Sequence, residues 1–388
     1  MLKNNSLLII IFSLLGFGVL FIANSTVVSS ENVYGAPYHF AILQLAWVIL
    51  GLLGFGVFYF TDYQRLEKFS SVLFLVTSFF LFALAVISFF PCNSSTGFTP
   101  CINGANRWFY FNPGSLPKIP FIGVLGFQPG ELAKLSLILY LAFRLGKGMK
   151  GGTYETKKDV SKKSFWIYLI SSGLMASFVL LQPNMSTAAM LFVMGTIIYF
   201  ASGASLKELF ILIPSLFVLS VLSIFASPYR RTRFMTLLSG NTDIDLSSGY
   251  HIKQILLALG SGGFWGVGFG QSKQKFNYLP EVASDSIFAI IGEEFGFIGT
   301  SLVMFAFIYL IYKGFSIAKR SKDLTGRLLA VGVSSWIGLQ FFVNVAAMTK
   351  IIPLTGVPIP LISYGGSSML FSMTALGILA NIDRQSRK

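Results

Sequence analysis

Charged residues are scarce in this chain: Asp, Glu, Lys and Arg supply 11% of the 388 residues, against roughly a quarter in soluble globular proteins. Hydrophobic residues supply 54%, and the mean hydropathy is +0.71. So few charges exclude an ordinary water-soluble domain, whose surface is mostly polar and charged residues. The composition predicts an all-α, polytopic membrane protein with a single membrane domain over residues 1–388.

Histidine and cysteine are almost absent, with two of each. His39 and His251 lie far apart without a neighbouring nucleophile or ligand set, which argues against hydrolytic triads and zinc chemistry. Cys92 and Cys101 are too few for a metal site, and we expect a disulfide between them on the oxidising outer face of the membrane. Two isolated thiols are the alternative.

Long apolar runs take the place of the missing charges, and several reach the roughly 20 residues that cross a hydrocarbon core. They predict about ten transmembrane helices. The predicted helices cover residues 7–28, 40–60, 70–90, 130–146, 165–182, 185–203, 206–226, 286–312, 327–349 and 364–381.

Basic residues between these helices set the orientation. With both termini in the cytoplasm, nearly all of them fall on the inner side, including those of a basic cytoplasmic loop at 147–164, as the positive-inside rule requires. Topology and anionic lipid headgroups thus account for the net charge of +14. We expect a multi-pass protein of the cell inner (cytoplasmic) membrane and no nucleic-acid partner, since no basic helix or stacking module accompanies the charge.

Two long segments interrupt the pattern, and the predicted topology places both outside, at 91–129 and 227–285. The second carries a basic excess that includes Arg230 and Arg233. Long outer loops tolerate positive charge, so the excess either has no role or forms an anion site for phosphate groups. The glycine-rich stretch 266–270 follows no strand, so we expect close backbone packing there and no nucleotide cradle.

Asp285 is the carboxylate best placed for chemistry. We expect it in the first turn of the next helix, where the helix dipole favours negative charge. Partial desolvation at the membrane interface also suits a general base. Helix capping by Ser284 or Asp285 is the alternative.

Other ionisable residues fall within predicted spans, where charge needs a partner. Glu131 and Lys134 stand three apart on one helix face, so they form either a satisfied pair or a contact for substrate phosphate. Glu293 and Glu294 are either hydrogen-bond anchors or part of a polar path. Arg107, in an aromatic run, suits an interfacial anchor.

Eight separated stretches, in order, resemble the SEDS family of polytopic peptidoglycan glycosyltransferases, the group of FtsW, RodA and SpoVE. They are GANRW at 104–108, FQPGELAKLSL at 127–137, LLQPNMST at 180–187, YRRTR at 229–233, GYHIKQ at 249–254, GSGGFWGVGFGQSKQKFNYLPE at 260–281, SDSIFAIIGEEFGFIG at 284–299 and PLTGVPIPLISYGGSS at 353–368. Two forms, IIGEE and FQPGELAKL, favour the division-type FtsW branch over the elongation-type RodA branch. The usual EAHTDF reads EVASDS at 281–286, which keeps Asp285 and loses its His and Thr neighbours.

The resemblance implies a glycosyltransferase that polymerises lipid II, a disaccharide-peptide on undecaprenyl pyrophosphate, at the outer face of the membrane during septal wall synthesis. It implies Asp285 as the catalytic general base. The expected substrate contacts are Arg107, Glu131, Lys134, Arg230, Arg233, Gln274, Lys275, Glu281 and Ser363. A class B penicillin-binding protein transpeptidase and other division proteins are the expected partners, and a divalent cation such as Mg or Mn stays open as a cofactor.

Two other function classes stay open beside the enzyme. Polar residues within the spans can line a path, which keeps a lipid II transporter among the hypotheses. An inactive division scaffold would use the outer loops only to dock partners, and Asp285 would then be dispensable.

Overall fold

In the computed structural model, the residues described are 6–90, 97–102, 104–111, 126–147, 157–204 and 246–387, with positions 214, 225, 231, 234, 235 and 237. Eleven α-helices lie within them. They are α1 Ser6–Ser25, α2 Val27–Tyr34, α3 His39–Phe60, α4 Glu67–Ile87, α5 Pro129–Lys147, α6 Lys157–Leu181, α7 Met185–Ala201, α8 Leu246–Gly262, α9 Ile287–Arg320, α10 Leu324–Met348 and α11 Gly366–Arg387. A 3-10 helix at Tyr63–Leu66 joins α3 to α4.

Six of these helices, α1, α3, α4, α6, α9 and α10, include stretches long and apolar enough to cross a membrane. Helix α7 is a shorter apolar helix. The predicted helical membrane architecture is therefore confirmed. The predicted helix at 206–226 lies outside the described residues except at positions 214 and 225, so the expected number of ten is not tested.

Helical structure extends beyond several of the apolar runs. Helix α6 begins at Lys157, well before the predicted start at 165, so the predicted basic loop 147–164 is helical over its last eight residues. Helix α8 lies inside the predicted outer loop 227–285. An apolar run ends where lipid ends, whereas the backbone hydrogen bonds of a helix continue into polar surroundings.

Short strands organise the described part of the first outer segment. Strand β1, Cys101–Ile102, pairs with β2, Ala105–Asn106, and β3, Phe109–Tyr110, pairs with β4, Gly126–Phe127, both antiparallel. The rings of Phe109 and Phe127 stack with their centroids 5.9 Å apart. This small sheet therefore leads directly into α5.

Helix α10 forms the centre of the bundle. It packs against α5, α7, α9 and α11, and 83% of its most apolar window is buried, against 22% for α9. A helix that is apolar on all sides is expected at the core. The ring of Phe341 stacks on Phe307 of α9 with centroids 4.0 Å apart. Polar side chains of α10 are thus held deep inside the molecule.

Helix α9 is broken at Gly296, where φ is 62° and ψ is −158°. The segment after α8 pairs with the break: the backbone N–H of Val267 donates to Glu293 O and that of Phe297 donates to Gly263 O, both at 3.0 Å. A Cβ on Gly296 would lie 2.4 Å from the backbone N of Gly266. The glycine-rich stretch is therefore a close-packing element, as the sequence predicts, and it satisfies backbone groups that a broken helix leaves open.

Candidate active site

Asp285 lies in a tight turn at residues 281–286, which we call the carboxylate turn. The backbone N–H groups of Ser284 and Ser286 donate to Glu281 O at 3.1 and 3.2 Å, and Glu281 itself has a φ of 52°. Asp285 is 7% exposed. The turn therefore holds a carboxylate in a largely desolvated position just before α9.

Asp285 is expected in the first turn of the helix, but it lies one residue before the N-cap. Helix α9 begins at Ile287 and its N-cap is Ser286, which makes no side-chain cap hydrogen bond. The Ser284 hydroxyl donates to Glu281 Oε2 at 2.8 Å. Neither Ser284 nor Asp285, the alternative caps, therefore occupies the N-cap position of α9. Glu281 itself is exposed at the edge of the turn.

Two hydrogen bonds from other segments hold the backbone of the carboxylate turn. The Asn344 side chain on α10 donates from Nδ2 to Asp285 O at 2.7 Å. The backbone N–H of Tyr364 donates to Ala283 O at 2.8 Å. Burial raises the pKa of the Tyr364 phenol, so it stays neutral. The turn is thus fixed by its main chain.

The loop at residues 349–365, here the proline loop, forms the wall beside this carboxylate. Asn344 Nδ2 also donates to Val357 O, at 2.7 Å. At Gly356, where φ is +65°, a Cβ would lie 3.7 Å from Asp285 Oδ2. The absence of a side chain at Gly356 leaves space next to the carboxylate oxygen, which is where a substrate hydroxyl would have to approach.

Ser363, an expected substrate contact, closes the proline loop internally. Its hydroxyl accepts a hydrogen bond from the Ile359 backbone N–H at 2.8 Å, and its carbonyl accepts one from Gln44 Nε2 at 3.3 Å. The residue is 4% exposed. These bonds favour a structural role for Ser363 over the expected contact with substrate.

A histidine that the sequence analysis set aside contacts the carboxylate turn. His251 Nε2 lies 2.7 Å from Ser286 Oγ, and His251 is on α8, which packs against α9. Sequence alone gave no signal for this contact, since 35 residues separate the pair.

Glu293 holds the segment at residues 266–280, here the outer segment, which precedes the carboxylate turn. It accepts hydrogen bonds from Ser272 Oγ and from the backbone N–H groups of Lys273 and Gln274, the latter two at 3.0 and 3.3 Å. Three donors satisfy the oxygens of a buried carboxylate well. Of the two alternatives for Glu293, the hydrogen-bond anchor is the one the geometry favours.

Lys275, an expected substrate contact, is committed to the same network. Its Nζ donates to Asn24 Oδ1 at 3.0 Å, to Gly270 O at 2.6 Å and to Glu294 Oε1 at 3.3 Å. The side chain is 8% exposed and that of Glu294 is 0% exposed. The ammonium group therefore neutralises Glu294 and ties the outer segment to α1.

The expected pair of Glu131 and Lys134 is formed inside the bundle. Lys134 Nζ lies 2.6 Å from Glu131 Oε1 and 2.7 Å from Gln340 Oε1, and it also lies over the Trp336 ring. Gln340 in turn donates from Nε2 to Pro358 O of the proline loop at 2.9 Å. The geometry favours the satisfied pair over a contact with substrate phosphate. Through Gln340, the pair also supports the proline loop.

Arg107 fastens the turn between α6 and α7. It donates from Nη2 to Pro183 O at 2.7 Å and from Nε to Gln182 O at 3.3 Å. This is an anchoring contact to protein carbonyls, and a contact with substrate stays a prediction. Cys101 is disulfide-bonded, while its expected partner Cys92 lies outside the described residues.

Arg230 and Arg233 lie outside the described residues. Within the ranges described, no group of three or more His, Cys, Asp or Glu side chains could hold a metal ion. The divalent cation stays a prediction.

The model of the cell cycle protein family FTSW_RODA_SPOVE matches residues 5–388. The chain belongs to this family. A probable peptidoglycan glycosyltransferase FtsW of Geobacter sp. (strain M18) is 31% identical over 383 residues, covering 96% of this chain and 94% of the relative. Stage V sporulation protein E of Bacillus subtilis (strain 168) is 33% identical over 389 residues, covering 98% and 97%. The predicted family and enzyme class, a glycosyltransferase, are thereby confirmed.

Solved structures share the fold of this family member. The rod shape determining protein RodA of Thermus thermophilus matches with a TM-score of 0.68 and 22% identity, covering 99% of this chain and 98% of that one. A chain from a peptidoglycan synthase complex that coordinates polymerization and crosslinking matches with a TM-score of 0.74, 22% identity and the same coverage. At this identity the likeness establishes the fold alone.

Proposed function

We propose that this FtsW-type chain polymerises lipid II into glycan strands at the outer face of the cytoplasmic membrane, with Asp285 as the general base. The observation that carries the proposal is the position of Asp285: a 7%-exposed carboxylate in a turn whose backbone is clamped by Asn344 and Tyr364, with the space at Gly356 beside it. Such a fixed, desolvated carboxylate suits proton abstraction from a hydroxyl.

In the proposed step, a sugar hydroxyl of the acceptor attacks the anomeric carbon of the donor. Its proton passes to Asp285 while the new glycosidic bond forms. The bond from that carbon to the pyrophosphate oxygen breaks, and its electron pair leaves with undecaprenyl pyrophosphate. The single displacement inverts the configuration at the anomeric carbon.

The departing pyrophosphate needs positive charge. Lys134 and Lys275 are each bound to a buried glutamate, so we propose that they support the site without contacting the leaving group. Lys253 and Lys273 are exposed, and they join Arg230 and Arg233 as the proposed contacts. In this proposal, Lys253 and Lys273 replace Lys134 and Lys275 as the lysines that contact the substrate.

We further propose that the chain works at the division site with a class B penicillin-binding protein, which crosslinks the emerging glycan. Curated relatives named FtsW and a structural neighbour from a peptidoglycan synthase complex support this assignment. The cell inner membrane is the proposed location, because lipid II is consumed at its outer face. An elongation role of the RodA type is the alternative.

The test is polymerisation of labelled lipid II by purified protein with its transpeptidase partner. Asp285→Asn keeps the shape of the side chain, removes the base and should lower the rate about 10²- to 10⁴-fold. Asp323→Asn is the matched control, since Asp323 is the N-cap of α10 and Asn caps a helix equally well. Native rates for Asp285→Asn would refute the proposed base.

Lipid II transport is the competing class, and the intramembrane acids were its main support. Glu131 is paired with Lys134, and Glu293 and Glu294 are bound to the outer segment, which favours support of the fold over a polar path. Vesicles loaded with labelled lipid II separate the two classes. Chain growth without translocation supports the enzyme, and translocation without chain growth supports transport.

A further inference from the structure

Asn344 is a buried amide in α10, the most buried of the six candidate membrane spans. It is 0% exposed and lies between Phe341 and Val345, which are 0% and 8% exposed. An amide placed among such side chains destabilises the fold unless it is hydrogen-bonded. Its presence therefore needs a reason beyond packing, because a leucine would fill a similar volume.

The two hydrogens on Nδ2 of Asn344 are both used. One bond goes to Asp285 O and the other to Val357 O, each at 2.7 Å. These carbonyls belong to the carboxylate turn and to the proline loop. Asn344 lies 59 residues from Asp285 and 13 residues from Val357, so the amide joins two segments that are separate in sequence. One side chain thus sets the distance between the two walls that flank the Asp285 carboxylate.

The other half of the amide, its oxygen Oδ1, makes no hydrogen bond to the described residues, although it is buried. The reversed orientation would place this oxygen against two carbonyl oxygens, so the donor orientation is the one that the surroundings require. The open acceptor costs stability, which the two donated hydrogen bonds offset.

We propose that Asn344 is a positioning residue for the base Asp285. The inference rests on the proposed function, in which Asp285 takes the acceptor's proton. By joining Asp285 O to Val357 O, the amide holds the carboxylate at a fixed distance from the space at Gly356, where the attacking hydroxyl must sit. Loss of this bridge lowers turnover while binding of lipid II, which rests on other contacts, changes little.

The chain supplies a matched control at its other end. Asn381 on α11 is also 0% exposed, and its Nδ2 donates to Tyr59 O at 2.6 Å and to Thr61 O at 2.9 Å. The same substitution at Asn381 removes the same two kinds of bond, far from the carboxylate turn. Any loss that reflects only folding should therefore appear in both variants.

The experiment compares Asn344→Leu with Asn381→Leu in the full-length protein bound to its partner, measuring kcat and KM for lipid II polymerisation together with the midpoint of thermal unfolding. For Asn344→Leu we expect a fall in kcat of up to about 100-fold, as for a reacting group displaced by roughly 1 Å, with KM within about threefold of native. For Asn381→Leu we expect native kcat at a comparable loss of thermal stability. Asn344→Ser, which is too short to reach both carbonyls, serves if the leucine variant does not fold.

The outcomes separate the two proposals. Equal kcat values for the Asn344 and Asn381 variants, with Asp285→Asn inactive, overturn the positioning role alone. A raised KM with native kcat at Asn344 also overturns it, because that pattern marks lost substrate binding. Full activity of Asp285→Asn overturns the base and the positioning role together.

Discussion

The two ends of the helix bundle differ in the atoms that accept the bonds around their aspartates. One end comprises residues 60–66, 320–326 and 381–387, and we call it the ion-pair end. There, the carboxylate oxygens accept the ion pairs and hydrogen bonds. Asp383 pairs with Arg320 at 3.3 Å and with Arg387, and Asp323 Oδ1 accepts from Tyr63 Oη at 2.7 Å. These acids join helix ends to each other, and their charge serves stability.

At the opposite end, formed by the carboxylate turn and the proline loop, the two clamps on the turn bind main-chain carbonyls. Asn344 and Tyr364 hold the backbone at Asp285 and Ala283. Even the two bridging asparagines differ, because Asn381 Oδ1 accepts from Gln385 at 2.8 Å whereas Asn344 Oδ1 has no partner in the described part of the chain. We infer that this end is built to place a carboxylate accurately and the ion-pair end is built to hold helices together.

The largest expected difference between the ends concerns ion pairs. Lys275→Met leaves Glu294 as an uncompensated buried charge and should lower the free energy of unfolding by about 3–5 kcal/mol. Arg320→Met breaks a pair whose arginine is 51% exposed, and its effect should stay below about 1 kcal/mol. Thermal unfolding in detergent measures both. Equal, small effects would mean that Lys275 is not an internal counter-ion.

A glycine pair tests the break in α9. Gly296→Ala adds a Cβ 2.4 Å from the Gly266 backbone at a φ of +62° and should destabilise the protein by about 1–3 kcal/mol. Gly56→Ala in α3, where no atom lies within 4 Å, should be neutral or stabilise the protein by up to about 1 kcal/mol. Denaturation midpoints distinguish them. A tolerated alanine at 296 would contradict the paired geometry described for this region.

Ser363→Ala distinguishes loop closure from substrate binding. It removes the acceptor for the buried Ile359 N–H and should lower the free energy of unfolding by about 1–2 kcal/mol, with KM for lipid II unchanged. Tyr63→Phe, which removes one bond at the ion-pair end, should lower it by about 1 kcal/mol. A raised KM with unchanged stability for Ser363→Ala would restore the substrate role that the sequence suggests.

The smallest effect is expected at His251. His251→Ala removes the contact with Ser286 Oγ and should lower the free energy of unfolding by about 1 kcal/mol and turnover only a few-fold. His251→Gln can still reach a hydroxyl and should recover most of the turnover. Steady-state kinetics of the two variants test this, and a loss as large as that of Asn344→Leu would mean that α8 also positions the base.

The sequence predicts the membrane helices well, because apolar runs between charge clusters reflect the thickness of the lipid core. It also predicts the pair of Glu131 and Lys134 from their spacing of three residues. The catalytic role of Asp285 stays a prediction. The partners of these residues are a different matter. Lys275 meets Asn24 across 251 residues and Lys134 meets Gln340 across 206, and no local pattern encodes such contacts.

Other features were missed for related physical reasons. Asn344 and Gln340 are amides in an apolar run, a signal that marks buried hydrogen bonds without naming their partners. The extra turns of α6 lie in polar sequence, and α8 combines a short apolar run at 255–259 with polar residues, so hydropathy predicts no membrane helix in either place. The exact start of α9 depends on the turn at Glu281, whose left-handed backbone is a tertiary feature.

A double-mutant cycle tests the central claim that Asn344 acts through Asp285. The measurement is the single-turnover rate of lipid II polymerisation, followed over long incubations, for Asp285→Asn, Asn344→Leu and the double variant. If the amide serves to position the base, Asn344→Leu lowers the rate no further once the base is gone, and the double variant matches Asp285→Asn. Losses that multiply in the double variant would contradict the account.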